Sequence, residues 1–140
     1  MTMENGWFHP SRRPYRFTLL LIVALIIFGS YFAYDSVGAI ETTLMKKLGI
    51  GQSEIGTMYS MYSWAAILTL FGGGLLIDYV GTRKASLIFS ALVTIGAAIV
   101  AWAPSLGALY VGRFVFGAGS EALIVCQSAI IARWFKGKEL

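Results

Sequence analysis

The sequence predicts an all-α membrane protein with four transmembrane helices. Hydrophobic residues make up 57% of the 140 residues, charged residues make up 13%, and the mean hydropathy is +0.72. These values are too apolar for an ordinary soluble domain. Apolar runs long enough to cross a hydrocarbon core recur along the chain, and no extended alternating pattern predicts strands.

The apolar runs divide the chain into a leader and four spans. Residues 1–15 are polar, contain Pro and Arg, and are expected to form a cytosolic leader. The four predicted spans lie at about 16–42, 53–80, 85–103 and 106–134.

The segments between the spans have turn and capping chemistry. Lys46, Lys47 and Gly49 predict a short polar loop between the first span and the second. Ser53 with Glu54 behind it is typical of an N-cap that opens the second span. Gly81 suits the left-handed position that closes this span, and Pro104 prevents the third span from continuing.

The basic residues predict the orientation of the spans. One side of the membrane receives Arg12, Arg13, Arg16, Arg83, Lys84, Arg133, Lys136 and Lys138, and the other receives only Lys46 and Lys47. Because cytoplasmic loops carry the excess of Lys and Arg, both termini are expected in the cytosol.

Composition also argues against several kinds of protein. The net charge is +4, but the basic residues lie between the spans and do not form the cluster that a nucleic-acid surface needs. Cys126 and His9 are the only residues of their types, so no disulfide or metal cluster is expected. No nucleophile–base pair or phosphate loop is apparent. We therefore expect no enzyme, no cofactor, no metal and no nucleic-acid partner, and the lipid bilayer is the expected surrounding.

Three charged residues fall inside the predicted spans: Arg113, Glu121 and Asp35. A charge at the bilayer centre costs about 2.5–3.5 kcal/mol even on insertion scales, so each needs a partner, a cavity or water. One interpretation is a structural ion pair between helices. The other is a substrate or proton site, which we favour for Glu121 because it lies near mid-depth, while both interpretations stay open for Asp35.

Polar and aromatic residues recur at helical spacing on three spans. The stripes are Arg113, Gly117, Ser120, Glu121, Ile124, Gln127 and Ser128 on the fourth span, Tyr31, Tyr34, Asp35, Gly38 and Thr42 on the first, and Tyr59, Tyr62, Ser63 and Ala66, with Trp64 beside them, on the second. A surface facing lipid would not gather so many polar groups, so the stripe of the fourth span is expected to line a cavity or a buried interface. Three such stripes on successive spans favour a shared, wet cavity. The frequent glycines of the spans predict close helix approach.

Two motifs resemble those of the major facilitator superfamily. Gly74-x-x-x-Asp78-x-x-Gly81-x-Arg83-Lys84 resembles the cytoplasmic loop signature between the second and third helices, although Tyr79 and Thr82 stand where basic residues are common. Arg113-x-x-x-Gly117 resembles the motif of the fourth helix. The resemblance implies that the four helices form part of the N-terminal six-helix half of this fold. It also implies that Gly74, Asp78, Gly81, Arg83 and Lys84 form a gating loop.

Longer stretches are similar to one branch, the lysosomal dipeptide carriers and their relatives. They are residues 29–35, residues 62–64, residues 112–121 and the terminal residues 134–140. The resemblance implies a carrier of dipeptides or similar small amphiphilic solutes that works by alternating access. Glu121 is then expected to meet the amino terminus of the substrate, and Tyr31, Tyr59, Tyr62 and Trp64 to form the side walls. Arg113 and Asp35 complete the candidate substrate-binding residues.

The resemblance also sets expectations for the whole protein. A full facilitator has two six-helix halves with the substrate site between them. We therefore expect this chain to need the C-terminal part of the same carrier as a partner. The leader has no acidic dileucine sorting signal. For that reason we favour the plasma membrane over the lysosomal membrane.

Two other functions remain as alternatives. A small four-helix multidrug-type exporter also uses a membrane glutamate, but it would give the loop from Gly74 to Lys84 no role. A non-transporting membrane subunit would pack against a partner through the glycines.

Overall fold

The structure, a computed structural model, describes residues 13–135, and these residues form five helices. They are α1 (Arg13–Ala39), α2 (Glu41–Leu48), α3 (Gln52–Val80), α4 (Thr82–Ala101) and α5 (Leu106–Phe135). All except α2 are long and apolar enough to cross a membrane. No strand occurs between residues 13 and 135. The predicted all-α class with four transmembrane helices is therefore confirmed.

Helix α5 is the centre of the bundle. It packs along α4 and α3 and touches α1, and it has the largest buried share of the four long helices. Ala122, Leu123 and Cys126 of α5 form one core cluster with Ala85 and Phe89 of α4. A second cluster lies nearer the start of α5 and joins Leu109 to Val37, Ile55 and Met58. Each of the other long helices thus depends on α5 for its burial.

Glycines let α5 approach its neighbours closely. A Cβ at Gly117 would collide with the backbone carbonyl of Tyr62 on α3, and one at Gly96 of α4 would collide with the backbone of Phe116. Gly73, Gly112 and Gly119 make similar approaches, whereas a Cβ at Gly72, Gly74 or Gly107 would meet nothing within 4 Å. Five of the eight glycines expected at helix contacts therefore lie at them.

The prediction of a loop containing Lys46, Lys47 and Gly49 is wrong in its structure, because α2 occupies most of this segment and includes both lysines. Leu44, Met45 and Leu48 of this short helix pack against the second core cluster, while its two lysines are exposed. Gly49 ends the helix in the left-handed conformation, with φ 64° and ψ 34°. An amphipathic face of only two turns is too short to stand out in the sequence beside a long apolar span.

The start of α3 also differs from the prediction. Gly51 is the N-cap, so Ser53 lies inside the first turn and is not the cap. Glu54 sits in that first turn, as expected, and its Oε2 accepts a hydrogen bond from the Gly51 N–H at 2.9 Å. The Glu54 side chain therefore satisfies the N–H of the N-cap residue, whereas no N-cap side chain accepts from the first-turn N–H groups as Ser53 was expected to do.

A single residue, Gly81, connects α3 to α4. Its φ of 83° is positive, as the glycine prediction requires, but its ψ of 153° lies outside the left-handed helical region. This combination is open essentially to glycine alone. Its N–H donates to the Ile77 carbonyl at 2.9 Å, and its own carbonyl accepts from the Ala85 N–H at 3.0 Å. Arg83 and Lys84 therefore lie in the first turn of α4 and not in a loop.

The remaining helix ends lie within a few residues of the predicted spans. Helix α1 begins at Arg13 and ends at Ala39, against a predicted span of 16–42. Helix α4 begins at Thr82 and ends at Ala101, against 85–103, and α5 ends at Phe135, one residue later than predicted. Residues 1–12 of the expected leader and residues 136–140 lie outside the described part of the chain, and so do Arg12, Lys136 and Lys138.

The packing of α5 on α3 yields a first prediction. Gly117→Ala should lower the free energy of unfolding by about 1–3 kcal/mol, and with it the unfolding temperature, since the added methyl group must displace the Tyr62 backbone. The measurement is a thermal unfolding curve of the purified protein in lipid nanodiscs.

Gly72→Ala is the matched control on α3, since a Cβ there meets nothing within 4 Å. The control should leave the unfolding temperature unchanged or raise it slightly, because Ala is the better helix former. If Gly117→Ala is as stable as Gly72→Ala, then α5 does not pack on α3 at this glycine.

Candidate functional site

Arg113 lies at the point where α1, α3 and α5 meet, and its side chain is only 1% exposed. Its Nη2 donates a hydrogen bond to the Tyr34 carbonyl oxygen of α1 at 3.1 Å. The guanidinium carbon lies 5.4 Å from the ring centroid of Tyr34, 5.5 Å from that of Tyr59 and 5.8 Å from that of Phe116. Aromatic faces at these distances stabilise a cation, more strongly where water is excluded.

No carboxylate lies within salt-bridge distance of Arg113 among residues 13–135. The interpretation of this arginine as half of an ion pair between helices therefore fails for the described residues. Its Nε is buried and has no hydrogen-bond partner. A carbonyl oxygen and three aromatic rings replace the carboxylate that we considered.

Glu121 lies midway along α5, and its side chain is half-buried. Its Oε1 accepts a hydrogen bond from the Tyr62 hydroxyl of α3 at 2.9 Å. A bond from a neutral donor to a carboxylate is stronger than a bond between neutral groups and holds the acid in one orientation. The described residues supply no second side-chain donor to this carboxylate.

Tyrosine rings join the surroundings of Arg113 to those of Glu121. The Tyr34 and Tyr62 ring centroids are 4.7 Å apart, and the Tyr34 and Tyr59 centroids are 5.9 Å apart. The Tyr62 ring also lies 6.0 Å from that of Phe116. We call Arg113, Tyr34, Tyr59, Tyr62, Phe116 and Glu121 the aromatic cluster. It brings together four of the seven predicted substrate-binding residues.

The other three predicted residues lie outside the aromatic cluster. Tyr31 is 53% exposed and Asp35 is also exposed, one helical turn further along α1. Trp64 is 63% exposed and lines a small cavity of about 220 Å³ together with Tyr59. No structural contact ties Tyr31 or Asp35 to Glu121.

The polar stripe of α5 forms helix interfaces more than a cavity. Ser120 meets Ser30 of α1 with 3.1 Å between their hydroxyl oxygens, and both side chains are buried. Gln127 donates from Nε2 to the Ser86 hydroxyl of α4 at 3.1 Å. A cavity of about 520 Å³ does exist between α1, α2, α4 and α5, but Arg113 is the only predicted substrate-binding residue that lines it. The expected single cavity shared by the three stripes is therefore not present among the described residues.

The predicted gating residues follow one another across the α3–α4 connection. Gly74 and Asp78 are exposed on α3, and Arg83 and Lys84 are exposed in the first turn of α4. Within residues 13–135, Asp78 has neither a hydrogen-bond nor an ion-pair partner. The nearby end of α5 is tied to α4 by Arg133, whose Nη1 donates to the Thr82 hydroxyl at 3.3 Å.

Two residues of the aromatic cluster, and one residue of the helix contact beside it, were missing from the predicted substrate-binding set. Tyr34 belongs to a predicted stripe, but its contact with Arg113 involves its backbone carbonyl, which no side-chain pattern reports. Phe116 is an apolar residue on an apolar helix, so nothing in its sequence context distinguishes it. Ser30 lies four residues before Tyr34, on the same side of α1, but it is not part of the predicted stripe.

Curated relatives match nearly all of the chain. The lysosomal dipeptide transporter MFSD1 of Homo sapiens is 40% identical over 135 residues, and the mouse protein of the same name is 39% identical over 135 residues. Each alignment covers 94% of this chain, which spans only 29% of the length of these relatives. The probable galactarate/D-glucarate transporter GarP of Escherichia coli is more distant, at 28% identity over 130 residues, with 89% of this chain and 29% of GarP covered.

No solved structure matches the chain significantly. The family model of the Major Facilitator Superfamily matches residues 19–140, which covers most of α1 and the whole of α3, α4 and α5. This match agrees with the two motifs at Gly74–Lys84 and at Arg113–Gly117. The chain therefore belongs to the Major Facilitator Superfamily.

Proposed function

We propose that this chain forms part of a secondary membrane transporter that carries dipeptides or similar small amphiphilic solutes by alternating access. The observation that carries the proposal is the carboxylate of Glu121, half-buried at mid-depth and held by the Tyr62 hydroxyl within the aromatic cluster. An intramembrane acid is costly and is usually functional. The names of the MFSD1 relatives support dipeptides as the solute class.

The chemistry of Glu121 suits the amino terminus of a peptide. An ammonium group leaving water needs an anionic partner, and a carboxylate supplies a charge-assisted hydrogen bond. Tyr62 occupies only one of the two carboxylate oxygens, so the other can accept from the substrate. We assign Tyr59 and Trp64 to the walls of the site, because together they line the small cavity on α3.

The exposed predicted residues fit a site completed by other parts of a carrier. Tyr31 and Asp35 share one face of α1, and we propose that this face meets the substrate pathway. Gly74, Asp78, Gly81, Arg83 and Lys84 are proposed to be the gating segment. The group that receives the peptide carboxylate is proposed to lie beyond the part of the relatives that this chain spans.

The alternative functions have weaker support. Membership of the superfamily gives no support to a small four-helix multidrug-type exporter or to a non-transporting subunit. The relatives are named as transporters, and we accordingly propose a carrier that is not an enzyme.

Orientation and membrane remain proposals. We propose that both termini are cytosolic. The lysines of α2 lie at one end of α3, and Arg83, Lys84 and Arg133 lie at the other, which has the excess of basic residues that is typical of the cytoplasmic side. The name of the MFSD1 relatives refers to the lysosome. The relatives therefore give no support to the plasma membrane, which we expected from the sequence. Microscopy of the tagged protein with plasma-membrane and lysosomal markers decides between the two.

Dipeptide binding tests the role of Glu121. Alanyl-alanine should raise the unfolding temperature of the complete protein in nanodiscs, and Glu121→Gln should abolish most of this rise. The amide keeps the size of the side chain but cannot pair its charge with the ammonium group.

N-acetyl-alanyl-alanine is the ligand control, because acetylation removes the ammonium charge. It should stabilise the wild-type protein no more than the free dipeptide stabilises Glu121→Gln. Equal stabilisation of both proteins by the free dipeptide would remove Glu121 from the site.

Single cysteines test the orientation. In a Cys126→Ala background, Lys46→Cys should react with a membrane-impermeant maleimide from the non-cytosolic side, whereas Arg83→Cys should react only after permeabilisation. Both positions are exposed, and α3 separates them. Labelling of Arg83→Cys alone in sealed cells would reverse the proposed orientation.

A further inference from the structure

We propose that Arg113 is a positioning residue, which acts on the substrate site through Tyr34 and Tyr62 and does not touch the substrate. This inference rests on the proposed function in one respect, namely that Glu121 binds the substrate. It replaces the expectation that Arg113 is itself a ligand of the substrate.

Arg113 is almost completely buried in the bundle. Its side chain is 1% exposed, and its Nε is sealed from solvent without a partner. A substrate-binding arginine in a carrier must exchange partners during each cycle. Arg113 also lines the cavity of about 520 Å³, but its guanidinium is held by the Tyr34 carbonyl and lies against three rings, which gives it a fixed place.

The contacts of Arg113 with Tyr34 position helix α1. The bond from Arg113 Nη2 to the Tyr34 carbonyl fixes the position of Tyr34 along α5. Helix α1 touches α5 less extensively than α3 and α4 do. This bond sets its register together with the buried pair of Ser30 and Ser120, the core residue Val37 and the contact of Phe17 with Phe135. The guanidinium also lies against the Tyr34 ring and so limits the orientations that the ring can take.

Further contacts lead from Tyr34 to the acid. The Tyr34 ring packs on the Tyr62 ring, with centroids 4.7 Å apart and planes tilted by 51°. Tyr62 in turn donates its hydroxyl to Glu121 at 2.9 Å. Tyr62 is also packed against Phe116, and Tyr34 against Tyr59. Arg113 acts together with these contacts, through Tyr34, to hold the Tyr62 hydroxyl on the carboxylate.

The first test uses the protein without ligand. The carboxyl carbon of Glu121 is observed by ¹³C NMR in protein labelled at glutamate, and its signal is assigned by its loss in Glu121→Gln. Tyr62→Phe, Tyr34→Leu and Arg113→Lys should all move this signal, because each weakens or removes the Tyr62–Glu121 bond. Tyr34→Phe keeps the ring and should restore the wild-type position.

Phe32→Leu is the matched control, an aromatic substitution on α1 at an exposed position outside the cluster. It should leave the Glu121 signal in place. If Tyr62→Phe moves the signal while Arg113→Lys and Tyr34→Leu do not, the proposed linkage does not exist. An unmoved signal in Tyr62→Phe overturns it as well, since the last link is then missing.

The second test separates positioning from direct contact. Alanyl-alanine and its C-terminal amide differ only in the carboxylate that an arginine would bind. Arg113→Lys should weaken the binding of both by the same factor, about three- to tenfold, which is the range that aromatic pair energies give. The substitution should cause no further loss in the Glu121→Gln background.

A loss confined to the free acid would show that Arg113 binds the substrate carboxylate, and would overturn the inference. Unfolding temperatures of the variants identify any that fail to fold, and Tyr34→Leu then takes the place of Arg113→Lys. If the wild-type protein binds neither peptide, the proposed function fails, while the NMR experiment still decides the role of Arg113.

Discussion

The burial of one guanidinium without an acid partner constrains much of the described structure. Arg113 carries its charge inside the bundle, where desolvation is costly, and the described residues offer it a carbonyl oxygen and three aromatic faces. Those groups come from three different helices. A shift of any one helix would uncover the charge, so the arginine fixes the relative positions of α1, α3 and α5.

Close packing and site geometry depend on each other at α5. Gly117 brings the α5 backbone against Tyr62, and the same tyrosine reaches Glu121 one helical turn further along α5. A larger residue at position 117 would move α3 outward and lengthen the bond between hydroxyl and carboxylate. The glycine of the fourth-helix motif therefore serves the acid as well as the helix contact.

Periodicity and composition predict the long helices well, because an apolar span is visible residue by residue. They fail where a contact depends on the backbone or on a partner distant in sequence. Ser53 has the side chain of a cap, but Gly51 lies at the position that the Glu54 carboxylate can reach. The stripes correctly mark Tyr62 and Glu121 as residues that face other helices. The pairing of Tyr62 with Glu121 and the position of Tyr34 beside Arg113 depend on how three helices pack. The sequence of any one helix does not contain this information.

The one-residue connection at Gly81 bears on how this protein is made. Helices α3 and α4 are joined by this one residue, and its N–H and carbonyl each make one hydrogen bond to the adjoining helix end. Neither helix can leave the translocation machinery far ahead of the other. If one helix entered the lipid alone, the backbone groups at its end near Gly81 would be drawn towards lipid while the other helix was still outside it. The two are therefore expected to insert into the bilayer together as one hairpin, with α5 added to an already paired surface.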